Sequence, residues 1–280
     1  MNWLSDDAVA RLRDIAEQPQ LTGTRYELLR ELGRGGMGVV YECHDRELER
    51  SVAMKVLDVA EARDEWRAEA KTLARLEHPG IVPIHDAGLL PDGRFYYTMK
   101  LVRGQRLDEL RSLTRAETLR LFVRICEPVA FAHANGVVHR DLKPQNVMVG
   151  EFGAVLVMDW GVEHIAGTPG FMPPEKERSE RSDVFALGAT LKAMLHRDAI
   201  PRPLQAVLAR AMHDEPSQRY ASARELGEDV QRFLDGLPVT AYRENVFELA
   251  GRFLARNRAL VAVIAAYLLM RVIVFFWMRL

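Results

Sequence analysis

The chain has 280 residues, 48% of them hydrophobic and 28% charged, with 38 basic against 39 acidic side chains. That balance excludes disordered, collagen-like and low-complexity chains, and the two widely separated cysteines, Cys43 and Cys126, exclude a disulfide framework or a zinc cluster and fit a reducing compartment. The net charge of −1 divides unevenly: six arginines and two glutamates from Arg243 onward give the last 38 residues +4 and leave −5 on the first 242, which disfavours a general nucleic-acid binder.

The first residues carry Asp6, Asp7, Asp14 and Glu17 and no apolar run of signal-peptide length. They predict a short amphipathic helix, N-capped by Ser5, with Val9, Leu12 and Ile15 at helical spacing and Pro19 as its stop. From Arg25 the period changes to that of strands: YELLREL, GVVYECH, SVAMKVL, IVPIHDAG and RFYYTMKLV, separated by glycine or charged turns. One helix interrupts them over Glu65 to Leu76, with Trp66, Ala70, Leu73 and Leu76 on a common side beside Glu69, ended by His78, Pro79 and Gly80. After Gly104 the pattern is mostly helical, over Thr114 to Asn135, Ser182 to Leu195, Pro203 to His213 and Ser222 to Leu234. The plan is an α+β chain with a strand-rich N-terminal lobe and a larger helical C-terminal lobe.

The last stretch differs in kind. Ala259 to Met278 contains a single charge, Arg271, and as a helix would reach ~30 Å, the thickness of a bilayer core. An arginine at the centre of such a helix costs about 2.5–3.5 kcal/mol, but Arg271 lies past the middle and can snorkel to the nearer interface. The expectation is a transmembrane helix over 259–278. Arg252, Arg256 and Arg258 before it and only Arg279 after it leave the large N-terminal part on the cytoplasmic side.

Three groups of residues can carry chemistry. Gly33, Gly35 and Gly38 in LGRGGMGVV form GxGxxG followed by a strand, a glycine-rich flap whose amides can close over phosphates with Val40 beneath. Seventeen residues after Gly38, Lys55 sits inside an apolar run, where a buried ammonium needs an anion that Glu69 or a nucleotide phosphate can supply. The string HRDLKPQN, His139 to Asn146, holds an aspartate, a lysine two positions on and an asparagine five positions on. Thirteen residues after Asn146 comes Asp159 in MDWG, a carboxylate suited to a hard cation such as Mg²⁺.

In these motifs and their order the chain resembles a eukaryotic-type serine/threonine protein kinase of the bacterial kind, from about Tyr26 to Leu234. The resemblance implies a two-lobed kinase-like fold over about 25–235, with the N-lobe to about 102. It is preceded by an N-terminal extension (1–24) and followed by a basic linker (236–258) and the membrane helix. It implies ATP and Mg²⁺ as cofactors and a protein serine or threonine hydroxyl as substrate, with membrane lipid as a further partner of the C-terminal segment. Asp141 would be the catalytic base, Lys143 would steady the transferring phosphate, Lys55 would pair with Glu69 and hold the α and β phosphates, and Asn146 and Asp159 would bind the metal. Leu32, Gly33, Arg34, Gly35, Gly36, Met37, Gly38, Val40 and Ala53 would line the nucleotide site, with Met99 as gatekeeper and Lys100 to Val102 as the hinge. Thr168 in GTPGFMPPE matches the threonine that marks serine/threonine specificity, Glu175 would pair with Arg219, and Asp183 would brace the catalytic loop.

Two departures bear on regulation and substrate. Only Val162 to Ala166 separate Gly161 from Gly167, without a Ser, Thr or Tyr, so Glu163 is the expected permanent partner of Arg140. The region after Leu195 is also short where the family places a docking helix. A nucleotide-binding pseudokinase scaffold and a small-molecule kinase are the alternatives left open by these losses, and Trp160 in place of the usual phenylalanine is expected to alter packing only.

Overall fold

The computed structural model describes residues 18–35, 38–57, 70–111, 113–160, 168–175, 179–195, 199–246, 248, 249, 251, 254 and 257–278. The N-terminal helix, Gly36, Met37, Glu65 to Glu69 and the short Gly161 to Gly167 segment with Glu163 lie outside them.

The alternating runs form five antiparallel strands, β1 (Tyr26–Gly35), β2 (Gly38–Asp45), β3 (Arg50–Leu57), β4 (Ile84–Leu89) and β5 (Phe95–Lys100), in the order β1-β2-β3-β5-β4. The two-residue period assigns their faces. Val52, Met54 and Val56 of β3 pack with Tyr26, Val39, Tyr41, Cys43, Leu90 and Tyr96 into one closed cluster. The intervening Ala53, Lys55 and Leu57 therefore face the other side, where Leu57 meets Phe95 and Ala70. Of the helix expected over Glu65 to Leu76, the described part is helical from Ala70 to Leu73.

The second lobe is built on helix α1 (Arg115–Ala134), bounded by the residues expected to end it: Thr114 is the N-cap in a capping box with Glu117, and Asn135 is the C-cap. Its buried stripe, Leu119, Phe122, Ile125, Cys126, Val129 and Ala132, is the centre of the lobe's core. Around it stand α2 (Glu180–Met194), α3 (Arg202–Ala211) and α4 (Ala223–Leu234), and a small sheet of β6 (Gly104–Arg106), β7 (Val147–Gly150) and β8 (Val155–Val157). The sequence pattern shows only the VMV of β7. β6 is three exposed residues and β8 three buried ones, both too short for periodicity to register. Val157 at the end of β8 donates its N–H to Gly80 O at 2.8 Å and bridges Ile81, which ties the two lobes together behind the cleft.

The helix α5 (Arg258–Trp277) is continuous over 20 residues, and Val263, Leu269, Ile273 and Trp277 on it are exposed. Counted over the described side chains alone, no helix is long and apolar enough to cross a membrane, so the span expected over 259–278 is not shown.

Arg219 closes the bottom of the second lobe. Its guanidinium is fully buried and bidentate to Glu175, at 2.7 Å from each of Oε1 and Oε2, and its remaining N–H groups donate to the carbonyls of His213, Arg181 and Asp214. The hydrogen bonds from Arg219 hold the Glu175 carboxyl below the usual range, against the opposing effect of burial. A depressed carboxyl contributes stability above its unfolded pKa of about 4.3 and loses it as pH falls through the lower folded value. Arg219→Ala, which leaves a half-buried carboxylate without its partner, is expected to lower urea stability by about 2–3 kcal/mol. Glu175→Gln should flatten the acid limb of the stability profile below about pH 4.3. An unchanged midpoint in the first variant, or an unchanged acid limb in the second, would contradict this role.

Candidate active site

The first wall of the cleft is the sheet face that carries Lys55. The register pairs Gly33 with Val40, Val40 with Lys55, and Lys55 with Tyr97, so these four residues form one row across four strands. Ala53 pairs with Met99 in the next row on the same face. Residues directly opposite in antiparallel strands share a face, so Gly33, Val40, Ala53, Lys55 and Met99 are brought together as expected. Lys100 ends β5, and Val102 follows in the connection to the second lobe. Leu32 and Arg34 are exposed on the tip of β1.

The second wall is the loop His139 to Asn146, held from below. Asp183, in the first turn of α2 and 1% exposed, accepts the backbone N–H of His139 at 2.7 Å and of Arg140 at 2.9 Å, and a third bond from His133 Nε2 at 2.8 Å. These bonds hold Arg140 at φ 75°, a left-handed conformation that costs a non-glycine residue about 1–3 kcal/mol. His139 is wholly buried, and burial pushes its pKa down, so it is neutral. Its Nε2–H donates to Met158 O at 2.9 Å, which leaves Nδ1 to accept the Asp141 N–H at 3.4 Å. One imidazole thus spans the two segments that carry Asp141 and Asp159.

Above this base the functional side chains converge. Lys143 Nζ donates to Asp141 Oδ2 at 2.6 Å and to Thr168 Oγ1 at 2.7 Å, while the Thr168 hydroxyl donates to Asp141 Oδ1 at 3.0 Å. Asn146 Nδ2 donates to Asp141 O at 2.8 Å and Oδ2 at 3.2 Å, which engages its donor end and leaves Oδ1 as its acceptor. Thr168 comes from a distant part of the chain, so the triangle is a product of folding and not of local sequence.

Lys55 closes the cleft from the other wall. It is 7% exposed, and its Nζ donates to Asp159 Oδ1 at 2.7 Å. Burial lowers the Lys55 pKa, but Tyr97 and Asp159 together outweigh it, and burial raises the Asp159 pKa, but Lys55 outweighs it. The lysine is pushed up and the aspartate is held down, so both are charged. Trp160 is buried, packs against His139 with ring centroids 4.7 Å apart at a 45° tilt, and donates Nε1–H to Val157 O at 2.9 Å. That bond fixes the backbone before Asp159, whose own φ is 55°.

The donor set fits Mg²⁺. Asp159 is ionised, Asn146 presents a carbonyl oxygen, and Mg²⁺ is typically held by one or two protein oxygens with substrate phosphates and water completing the octahedron. Among the described residues no cluster of three acidic, His or Cys ligands exists. His133 and the Trp160 hydrogen bond are the parts the sequence reading passes over. His133 stands six residues before His139 in a string read as ordinary helix, and nothing local marks its partner Asp183.

The glycines divide into two kinds. A Cβ at Gly38, whose φ is 143°, would lie 2.0 Å from Val56 O, whereas at Gly33 and Gly35 it would meet nothing within 4 Å. Gly38→Ala is therefore expected to destabilise the first lobe, and Gly35→Ala to leave the melting temperature unchanged while weakening binding of a nucleoside triphosphate. Equal melting temperatures for both variants would contradict the division.

The protein kinase domain family matches residues 26–239. The chain is 33% identical to serine/threonine-protein kinase PknD of Chlamydia trachomatis serovar D, over 76% of this chain and 32% of PknD. It is also 33% identical to the probable serine/threonine-protein kinase SCO3848 of Streptomyces coelicolor, over 80% of this chain and 42% of that protein. The chain thus spans less than half the length of either relative. The crystal structure of the M. tuberculosis PknI kinase domain superimposes with a TM-score of 0.64 at 27% identity, covering 76% of this chain and 96% of that one. The chain therefore belongs to the protein kinase domain family, among its bacterial serine/threonine members.

Proposed function

We propose that the protein transfers the γ-phosphoryl group of Mg·ATP to a serine or threonine hydroxyl of a protein. The observation that carries this reading is the convergence of Asp141, Lys143 and Thr168 at one point of the cleft, beside Asn146 and facing the Lys55–Asp159 pair. Asp141 is the base that accepts the hydroxyl proton, and Thr168 and Lys143 hold its carboxylate in place. Lys143 also supplies positive charge to the transferring group, and Lys55 does so for the remaining phosphates. Asn146 and Asp159 would hold Mg²⁺, which when bound neutralises phosphate charge and orients the phosphates. Asn146 would act at both sites, its amide N–H₂ steadying Asp141 while its oxygen serves as the metal ligand.

Substitution of Asp141 by Asn keeps the shape of the loop and removes the base. Transfer of labelled γ-phosphate to a generic basic protein or to the chain itself should fall by about 10²–10⁴-fold. Equal signal in Asp141→Asn and the parent protein would overturn the enzyme reading in favour of a nucleotide-binding scaffold.

The reading extends to the membrane. Supporting it are the near-continuous apolar sequence from Ala259 to Met278, the helical backbone over that stretch and its exposed side chains. A span there, with the kinase domain on the cytoplasmic side, confines the active site to the membrane plane and raises the effective concentration of substrates held in it. That offsets the short activation segment, whose residues Val162 to Ala166 include no Ser, Thr or Tyr, and the reduced docking region after Leu195. Truncation before Ala259 should move the protein from the membrane pellet to the supernatant. A full chain already in the supernatant would contradict the anchor.

A further inference from the structure

The family match ends at Val239, but the chain stays bound to the second lobe past that point. Val239 is buried in the lobe's core, and the next two residues are gripped by Asp229 of α4, itself 1% exposed. The Asp229 carboxylate accepts the Thr240 N–H, the Thr240 hydroxyl at 2.9 Å, the Ala241 N–H at 3.1 Å and the Tyr220 hydroxyl at 2.7 Å. These donors match the roughly four lone-pair sites of a carboxylate, so the buried charge is satisfied with none to spare. Arg232 Nε adds a bond to Pro238 O at 2.7 Å. Residues 237–242 are neither helix nor strand, and these bonds fix them on the lobe.

Thr240 is the exposed member of this clasp. Its Oγ1 donates to Asp229 and accepts from Arg210 Nη1 at 3.1 Å, and the residue borders a cavity of about 540 Å³. Charge around that cavity comes from Glu225, Glu228, Asp229 and Asp235 against Arg210 and Arg232. A phosphoryl group on Oγ1 would remove the O–H that Asp229 accepts and set about −1.5 to −2 charges among the carboxylates. Arg210 can follow the phosphate, but Asp229 repels it and loses a donor where water is excluded. The closed clasp is therefore incompatible with a phosphorylated Thr240.

We infer that Thr240 is a phosphorylation site that acts as a latch: phosphorylation by a second copy of the chain opens the Asp229 clasp and frees the segment that leads to α5. The Thr240 oxygen forms a bond to the γ-phosphorus of ATP as the bond from that phosphorus to the β-phosphate oxygen breaks. ADP leaves, and the hydroxyl proton passes to Asp141 of the acting copy. Closed, the clasp makes residues 238–241 part of the second lobe; open, it lengthens the free tether between that lobe and α5. This inference rests on the phosphoryl-transfer reading and assigns that activity one acceptor hydroxyl.

The full chain is incubated with Mg·ATP beside a generic basic protein, and phosphate is located by mass spectrometry. Hydrogen exchange then reads the amides of residues 240 and 241, which donate directly to Asp229. Phosphate is expected on Thr240 in the parent and not in Asp141→Asn, and both amides of the phosphorylated protein should exchange about tenfold faster or more. In Thr240→Ala, Mg·ATP should leave the same amides unchanged, which separates the effect of the phosphate from that of nucleotide binding. Phosphate on the basic protein or elsewhere on the chain but not on Thr240 would overturn the inference, as would phosphorylated Thr240 with the parent's exchange rates. No transfer to either protein would instead overturn the phosphoryl-transfer reading, and this inference with it.

Discussion

The Asp183 carboxylate is the point on which the catalytic wall of the cleft depends. It accepts two consecutive backbone N–H groups, from His139 and Arg140, and a third bond from His133. All of this happens where water is excluded, so each bond has full electrostatic weight and each lost partner would be costly. The carboxylate is delivered by the first turn of a helix buried along most of its length, which gives it a rigid base. From there the order is transmitted upward: the left-handed turn at Arg140 aims Asp141 outward, and His139 reaches across to Met158 and so registers the loop against the strand that ends at Asp159.

The two walls of the cleft are held by different physics. The sheet wall is set by strand register, which lines up Gly33, Val40, Lys55 and Tyr97 in a row, and by a closed apolar cluster on the opposite face. The loop wall is set by buried polar bonds. Between them the Lys55–Asp159 pair is the direct electrostatic link across the cleft, and both members are groups that a magnesium–phosphate ligand would recruit. An ion pair that satisfies the buried Lys55 ammonium before the ligand arrives, with a partly exposed Asp159 carboxylate, avoids leaving that charge unpaired. Binding then exchanges partners instead of creating new buried charge.

Much of this was legible in the sequence because it is local. The strands of the first lobe alternate visibly, the helical pattern from Thr114 to Asn135 bounds α1, and HRDLKPQN with MDWG places four reactive side chains in order. What was not legible depends on contacts across the chain. The grip of Asp183 on His133 spans 50 positions, and the bond from Thr168 to Asp141 spans 27. Tyr97 reads as one more aromatic in a strand until the register sets it opposite Lys55. The strands β6 and β8 are three residues each, below the length at which a pattern can be recognised. The apolar C-terminal run is legible as a helix, and its described part is one.

Dependence of nucleotide affinity on Mg²⁺ bears most directly on the site. Binding of adenylyl imidodiphosphate should tighten as Mg²⁺ is raised from zero to millimolar in the parent protein, because Asp159 and Asn146 complete a cation site with the phosphates. In Asp159→Asn the Mg²⁺-dependent gain should disappear, while metal-free affinity is retained or improved as Lys55 is released. The same Mg²⁺ gain in both proteins would contradict the assignment of Asp159 and with it the phosphoryl-transfer geometry of the cleft.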